Sequence, residues 1–132
     1  MSFRFLKNRV FVVLFVMCAA AATPGCVPLV FVGAGAVVGY AVSRDSVTLD
    51  MDRPADKVWA ACTEEVRRSG RIKREDRPNG RLEGQIQKAD IVISMEPLTE
   101  ATVRVVIRAR KNLLPQLEVA QKLAVAIARR VG

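Results

Sequence analysis

The residues with the most chemical potential in this 132-residue chain are three cysteines, Cys18, Cys26 and Cys62, in a sequence without histidine. Lacking imidazole, the chain has neither the usual acid–base group near neutral pH nor the commonest metal ligand. Glu64, Glu65 and Glu83 are candidate acids, but lone carboxylates on faces expected to be exposed have no positioned partner, and solvation explains them more simply. The glycines of Gly33-Ala34-Gly35-Ala36-Val37-Val38-Gly39-Tyr40 suggest a phosphate cradle. A dinucleotide fingerprint, however, needs G-x-G-x-x-G between a strand and a helix, with an acid near the end of the next strand. Here the third glycine falls one place late and no βαβ pattern follows. The sequence therefore points to no catalytic residues, no cofactor and no metal site.

Cys26 is the cysteine with a defined setting. No charged residue occurs from Val10 to Ser43, and three basic residues, Arg4, Lys7 and Arg9, precede that run. The apolar core from Val10 to Ala22 is short of the roughly 20 residues that a spanning helix needs, and it ends in Thr23-Pro24-Gly25-Cys26. Basic flank, short apolar core and a small residue at the cut form the layout of a cleaved export signal, residues 1–25. Thr23-Pro24-Gly25-Cys26 resembles the lipobox of bacterial lipoproteins, with Thr23 where Leu is usual. That resemblance implies a diacylglycerol on the Cys26 thiol and cleavage just before it. Several acyl chains at about 0.8 kcal/mol per buried methylene would hold the protein on a membrane effectively permanently. Val27, rather than Asp, follows the cysteine, which by the same resemblance implies the outer membrane, with the protein facing the periplasm. Beyond Gly25 the formal charge of +8 falls to +5, so the export signal accounts for part of the basic character. Cys62 is then left alone, without a disulfide partner or a cysteine-rich metal site. Were Cys26 free instead, a Cys26–Cys62 bridge in an oxidising compartment would be open to it.

Residues 26–43 read as the lipidated cysteine followed by an apolar, glycine-rich tether, because each glycine weakens a helix by nearly about 1 kcal/mol relative to alanine. The alternative is a membrane helix that packs through small residues, Gly33, Gly35 and Gly39, into an oligomer. A helix over Val27–Ser43 would reach only about 26 Å, just short of the hydrocarbon core. A second feature lies further on: Arg67, Arg68, Arg71, Lys73, Arg74, Arg77 and Arg81 fall in one stretch relieved only by Glu75 and Asp76. Basic charge at a helix C-terminus and on an edge strand has a structural explanation. The functional alternative is contact with anionic head-groups, an anionic envelope polymer or an envelope protein, through attraction that salt weakens. Nucleic acid is not expected as a partner of an exported chain whose sole tryptophan, Trp59, is not interleaved with these bases.

The elements that must carry these residues begin at Arg44, where the composition changes. Val47, Leu49 and Met51 alternate with polar residues, as in a strand with one buried face. Pro54 and Asp56 open a helix to about Ser69, whose inner stripe of Ala55, Val58, Trp59, Cys62 and Val66 makes Trp59 a core ring and Cys62 a small buried hydrophobe. A charged strand, Arg71–Asp76, leads to the turn Pro78-Asn79-Gly80. Leu82, Gly84 and Ile86 alternate next, then Ile91, Ile93 and Met95 after a turn at Lys88–Asp90; two strands or one long bent strand fit equally. Val103, Val105 and Ile107 give the clearest strand. Asn112 and Pro115 are expected to open a last helix with Leu117, Ala120, Leu123, Ala124 and Ile127 on one face. The order β-α-β-β-β-α predicts an α+β, two-layer domain over residues 44–132, with a mainly antiparallel sheet of about four strands and two helices on one face.

These residues also carry a wider resemblance. The cysteine, the Gly33-Ala34-Gly35-Ala36 to Gly39-Tyr40-Ala41 tract, Asp56-Lys57-Val58-Trp59-Ala60-Ala61, Gly80-Arg81-Leu82-Glu83-Gly84 and Val103-Arg104-Val105 follow one another as in a family of Gram-negative lipoproteins of unknown function. Members usually carry a glycine-led turn in the middle hairpin and a glycine ahead of the last helix, where this chain has Lys88-Ala89-Asp90 and Lys111-Asn112. The resemblance implies location and fold and brings no catalytic residues.

Overall fold

The computed structural model describes residues 37–132, which lie in the second of the two units into which the chain divides, Met1–Val30 and Phe31–Gly132. In chain order the elements are β1 (Val37–Val42), β2 (Val47–Met51), α1 (Ala55–Ser69), β3 (Arg71–Asp76), β4 (Arg81–Ile86), β5 (Ala89–Pro97), β6 (Val103–Lys111), β7 (Leu114–Pro115) and α2 (Leu117–Val131). The fold is α+β, with two helices and seven strands among the described residues. The strands form one sheet in the order β1-β2-β6-β5-β4-β3, with β7 paired to β6. Every neighbouring pair is antiparallel. After β2, helix α1 carries the chain to the far edge, and the meander β3-β4-β5-β6 returns until β6 pairs with β2.

Register fixes which side chains are buried. Leu49 sits opposite Val105, Ile107 opposite Ile93, and Ile93 opposite Leu82, so one face of the sheet is continuously apolar. That face joins Val58, Trp59, Cys62 and Val66 of α1 and Ala120, Leu123, Ala124 and Ile127 of α2 in a single core. Each fully buried Leu, Ile or Val contributes roughly 1.5–3 kcal/mol. At Gly84 a side chain is excluded by close approach: a Cβ would lie 2.7 Å from Val66 Cγ1 and 2.8 Å from the Arg71 carbonyl oxygen. The gap lets α1 seat directly on β4. The opposite face is uncovered by any described element, and Thr48, Asp50, Glu83, Gln85, Val92, Arg104 and Val106 are half-exposed there.

The sheet is larger than the four strands expected, for reasons that lie in particular residues. Residues 37–42, assigned from sequence to the tether, form strand β1 along β2. A register shift between Val37 and Gly39 breaks the alternation that would have announced it, although Tyr40 and Val37 pack against the core. The middle segment is two strands, β4 and β5, because Gln87 and Lys88 take positive φ of 51° and 65° and close a two-residue hairpin. Asn112 and Leu113 do the same with φ of 51° and 68°. The last helix therefore does not open at Asn112 or Pro115. Pro115 lies in β7 opposite Arg110, at an edge that tolerates its missing N–H, and α2 starts at Leu117.

Candidate functional site

The basic run is spread over three elements. Arg67 and Arg68 occupy the last turn of α1, where they complement the negative end of the helix. Arg71, Lys73 and Arg74 belong to the edge strand β3, Arg77 to the turn after it, and Arg81 to β4. Direct pairing sets Arg71 opposite Gln85, Arg74 opposite Glu83 and Asp76 opposite Arg81, so these three strand positions face the uncovered side of the sheet. Arg67 and Arg77 instead flank the helix side, where Glu75 accepts a hydrogen bond from Trp59 Nε1 at 3.1 Å and lies 4.0 Å from Arg67.

Most of the run is engaged within the fold. Arg77 reaches Asp56 at 2.6 Å, Arg81 reaches Glu83 at 2.7 Å, Lys73 pairs with Asp90, and Arg71 donates to the Gln85 side-chain oxygen at 2.8 Å. Among the described residues, only Arg68 and Arg74 of the seven make no ion pair or side-chain hydrogen bond. Asp76 accepts hydrogen bonds from Asn79 Nδ2 at 2.9 and 3.1 Å; these bonds, together with the nearby Arg74 and Arg81, hold its carboxyl below the usual carboxylate range. The stretch thus builds the β3–β4 hairpin and ties it to α1.

Two clefts adjoin the run. One, of about 630 Å³, lies along α1 and is lined by Lys57, Trp59, Glu64, Arg67, Glu75, Arg77 and Arg130. Another, of about 500 Å³, opens on the uncovered face between Asp45, Arg81, Asp90, Val92, Arg108, Arg110, Asn112 and Leu113. In both, cations and carboxylates interleave: Arg110 sits 3.0 Å and Arg108 3.9 Å from Asp45. Such mixed clefts suit polar surface contacts better than capture of one strongly charged group.

The other sequence candidates separate cleanly. Cys62 is fully buried, and burial pushes its thiol up to about 12, so it stays protonated and serves as packing. Trp59 is likewise buried in the core, 5% exposed. Glu65 accepts from Arg130 Nε at 2.9 Å and fastens α1 to α2, while Glu83 is held by Arg81. No cluster of three His, Cys, Asp or Glu residues able to hold a metal occurs among the described residues. Gly39 lies in strand β1 rather than in a helix, with Asp50 as its cross-strand neighbour, so helical packing through Gly39 is not its geometry. Cys26, Gly33 and Gly35 lie outside the described residues. No helix among the described residues is long and apolar enough to cross a membrane.

Sequence reasoning missed the turn between β6 and β7. Leu113 is 89% exposed and Leu114 66% exposed, beside Lys111, which forms no ion pair among the described residues. The signal was present as Lys111-Asn112-Leu113-Leu114-Pro115, in which two leucines stand in a segment expected to start a helix, off the apolar stripe that begins at Leu117.

Comparison of the chain with protein-family models and with curated proteins finds no match.

Proposed function

We propose that this chain is a lipid-anchored protein of the bacterial cell envelope, exported, held by a lipid on Cys26 and facing the periplasm from the outer membrane, with a non-catalytic domain that binds or scaffolds another envelope component. The observation that carries the proposal is the uncharged run from Val10 to Ser43, divided by Thr23-Pro24-Gly25-Cys26 after a basic flank. The family resemblance set out above supports the same placement. The burial of Cys62 and the ion pairing of Glu65 and Glu83 favour binding over turnover, since the chain's candidate nucleophile and two of its candidate acids are committed to packing and to ion pairs.

Incorporation of labelled palmitate into the full chain, with and without Cys26→Ser, tests the proposal. Label and membrane association that both disappear in the variant are expected. An unlabelled chain that resists extraction by alkali would instead favour the membrane-embedded oligomer.

A further inference from the structure

The β6–β7 turn carries two features that cost the fold something and return nothing to it. Leu113 adopts φ 68°, a left-handed conformation that glycine or asparagine takes far more readily than a branched side chain. It also leaves its side chain 89% exposed, with Leu114 beside it 66% exposed, so neither leucine contributes to the core. The strain and the exposure fall on the same residue, at the outermost point of a two-residue hairpin.

The turns and strand ends around this tip carry Arg44, Lys88, Arg108, Arg110 and Lys111 against the acids Asp45 and Asp90. The β4–β5 turn lies beside it, because Asp90 pairs with Arg110 and the two strands end together. The β1–β2 connection joins from the other side, where Asp45 meets Arg110 and Arg108. Three exposed cations result, Arg44, Lys88 and Lys111, and none of them forms an ion pair among the described residues. Leu113 lines the mixed cleft with Asp45, Asp90, Arg108 and Arg110, but those acids are taken up by Arg110 and Lys73. The exposed leucines and the three free cations at this end of the sheet therefore match a bilayer interface, where the apolar side chains enter the acyl boundary and the cations meet anionic head-groups.

We infer that the β6–β7 tip, Leu113 and Leu114 with Arg44, Lys88 and Lys111, is a docking point for an anionic membrane surface. The inference rests on the reading of the chain as a membrane-anchored protein and names the surface its domain contacts. It also moves the contact away from the Arg67–Arg81 run, whose side chains are mostly engaged. The tip lies at the end of the sheet opposite the start of β1, since Val37 pairs with Met51 and Met51 with Val103, the first residue of β6.

The test is local, so that it does not depend on how the N-terminal part holds the chain. The full chain carrying Leu113→Trp is mixed with vesicles of phosphatidylethanolamine with phosphatidylglycerol, or of phosphatidylcholine alone, and the parent spectrum from buried Trp59 is subtracted. With the anionic vesicles, a blue shift and quenching by brominated acyl chains are expected, both lost in high salt and in Lys88→Glu/Lys111→Glu. A solvent-like emission in both vesicle types overturns the inference, as does an equal shift with phosphatidylcholine or a concentration-dependent shift without lipid, which would assign the tip to a second copy. Leu114→Trp provides the same readout if Leu113→Trp does not fold. Palmitate labelling of the same samples reports separately on the anchor, so failure of the tip and failure of the lipid remain distinguishable.

Discussion

Along the run from Arg67 to Arg81, five cations close onto partners within the fold: Glu75, Gln85, Asp90, Asp56 and Glu83. At the β6–β7 end of the sheet, three exposed cations scattered through the sequence, Arg44, Lys88 and Lys111, form no ion pair among the described residues, and two leucines at the same end are exposed. The denser cluster in sequence is therefore the less available one in space. Charge crowded along an edge strand tends to be neutralised across the hairpin that carries it and to keep that edge from pairing with other chains. Arg44, Lys88 and Lys111 come from separate connections and strand ends, and the acids nearest to them in sequence, Asp45 and Asp90, are paired with Arg110 and Lys73 instead. The available surface is set by topology, which gathers residues 44, 88 and 111 at one end of the sheet.

If the comparison holds, substitutions around the run should cost stability and substitutions at the tip should not. The largest loss is expected at Trp59, whose ring is buried under the run and whose Nε1 donates to Glu75. Trp59→Ala should lower the unfolding free energy by about 3–5 kcal/mol in a denaturant titration. Glu75→Ala leaves that indole donor without its acceptor and releases Arg67, at a cost of about 1–2 kcal/mol. Lys88→Ala and Lys111→Ala should stay within about 0.5 kcal/mol of the parent, and a cost near that of Glu75→Ala would break the comparison.

An effect smaller than that at Trp59 concerns the uncovered face. Arg104 grips Asp50 through Nε and Nη2, at 2.8 and 2.9 Å, and this hydrogen-bonded pair holds the Asp50 carboxyl below its ordinary value. Because the folded state depresses this pKa, the stabilisation is fully present above the ordinary carboxylate range and is lost as pH falls through the lowered value. Asp50→Asn should cost about 1 kcal/mol near neutral pH, given the partial exposure of both side chains, and the deficit should vanish in acid. An equal deficit at every pH would show that packing rather than charge links β2 to β6. At the tip itself the sign reverses: Leu113→Gly relieves a left-handed leucine and should stabilise the fold by up to about 1 kcal/mol while weakening vesicle contact. Thermal unfolding checks the sign, and a destabilised variant would mean that Leu113 packs against something within the fold.

Much of the domain was legible in its apolar periodicity. Val47, Leu49 and Met51, then Val103, Val105 and Ile107, are buried on one face as their alternation requires, and the stripe from Val58 to Val66 faces the sheet. Strand β1 was not legible, because Gly39 and the neighbouring bulge interrupt its alternation within a run that is apolar throughout. The hairpin at Gln87-Lys88 was legible only as a turn at Lys88–Asp90 that left one bent strand or two open, and the hairpin at Asn112-Leu113 was not legible at all. Three of these four residues are not the glycine or asparagine that positive φ favours, so local chemistry did not mark turns that strand pairing imposes. The basic run was visible at once, with Glu75 inside it and Glu83 just beyond, but Asp56 and Asp90 meet Arg77 and Lys73 only once α1 and β5 fold against the hairpin. The tip depends wholly on tertiary structure, since its three cations are separated by more than twenty residues at each step.

The most direct test places paired charge reversals at the two regions in the full chain carrying Leu113→Trp and reads the emission shift with phosphatidylglycerol-containing vesicles. Lys88→Glu/Lys111→Glu should abolish the shift, and Arg71→Glu/Arg74→Glu should leave it in place. A shift that survives the first pair and disappears with the second would contradict the account and return the membrane contact to the basic run.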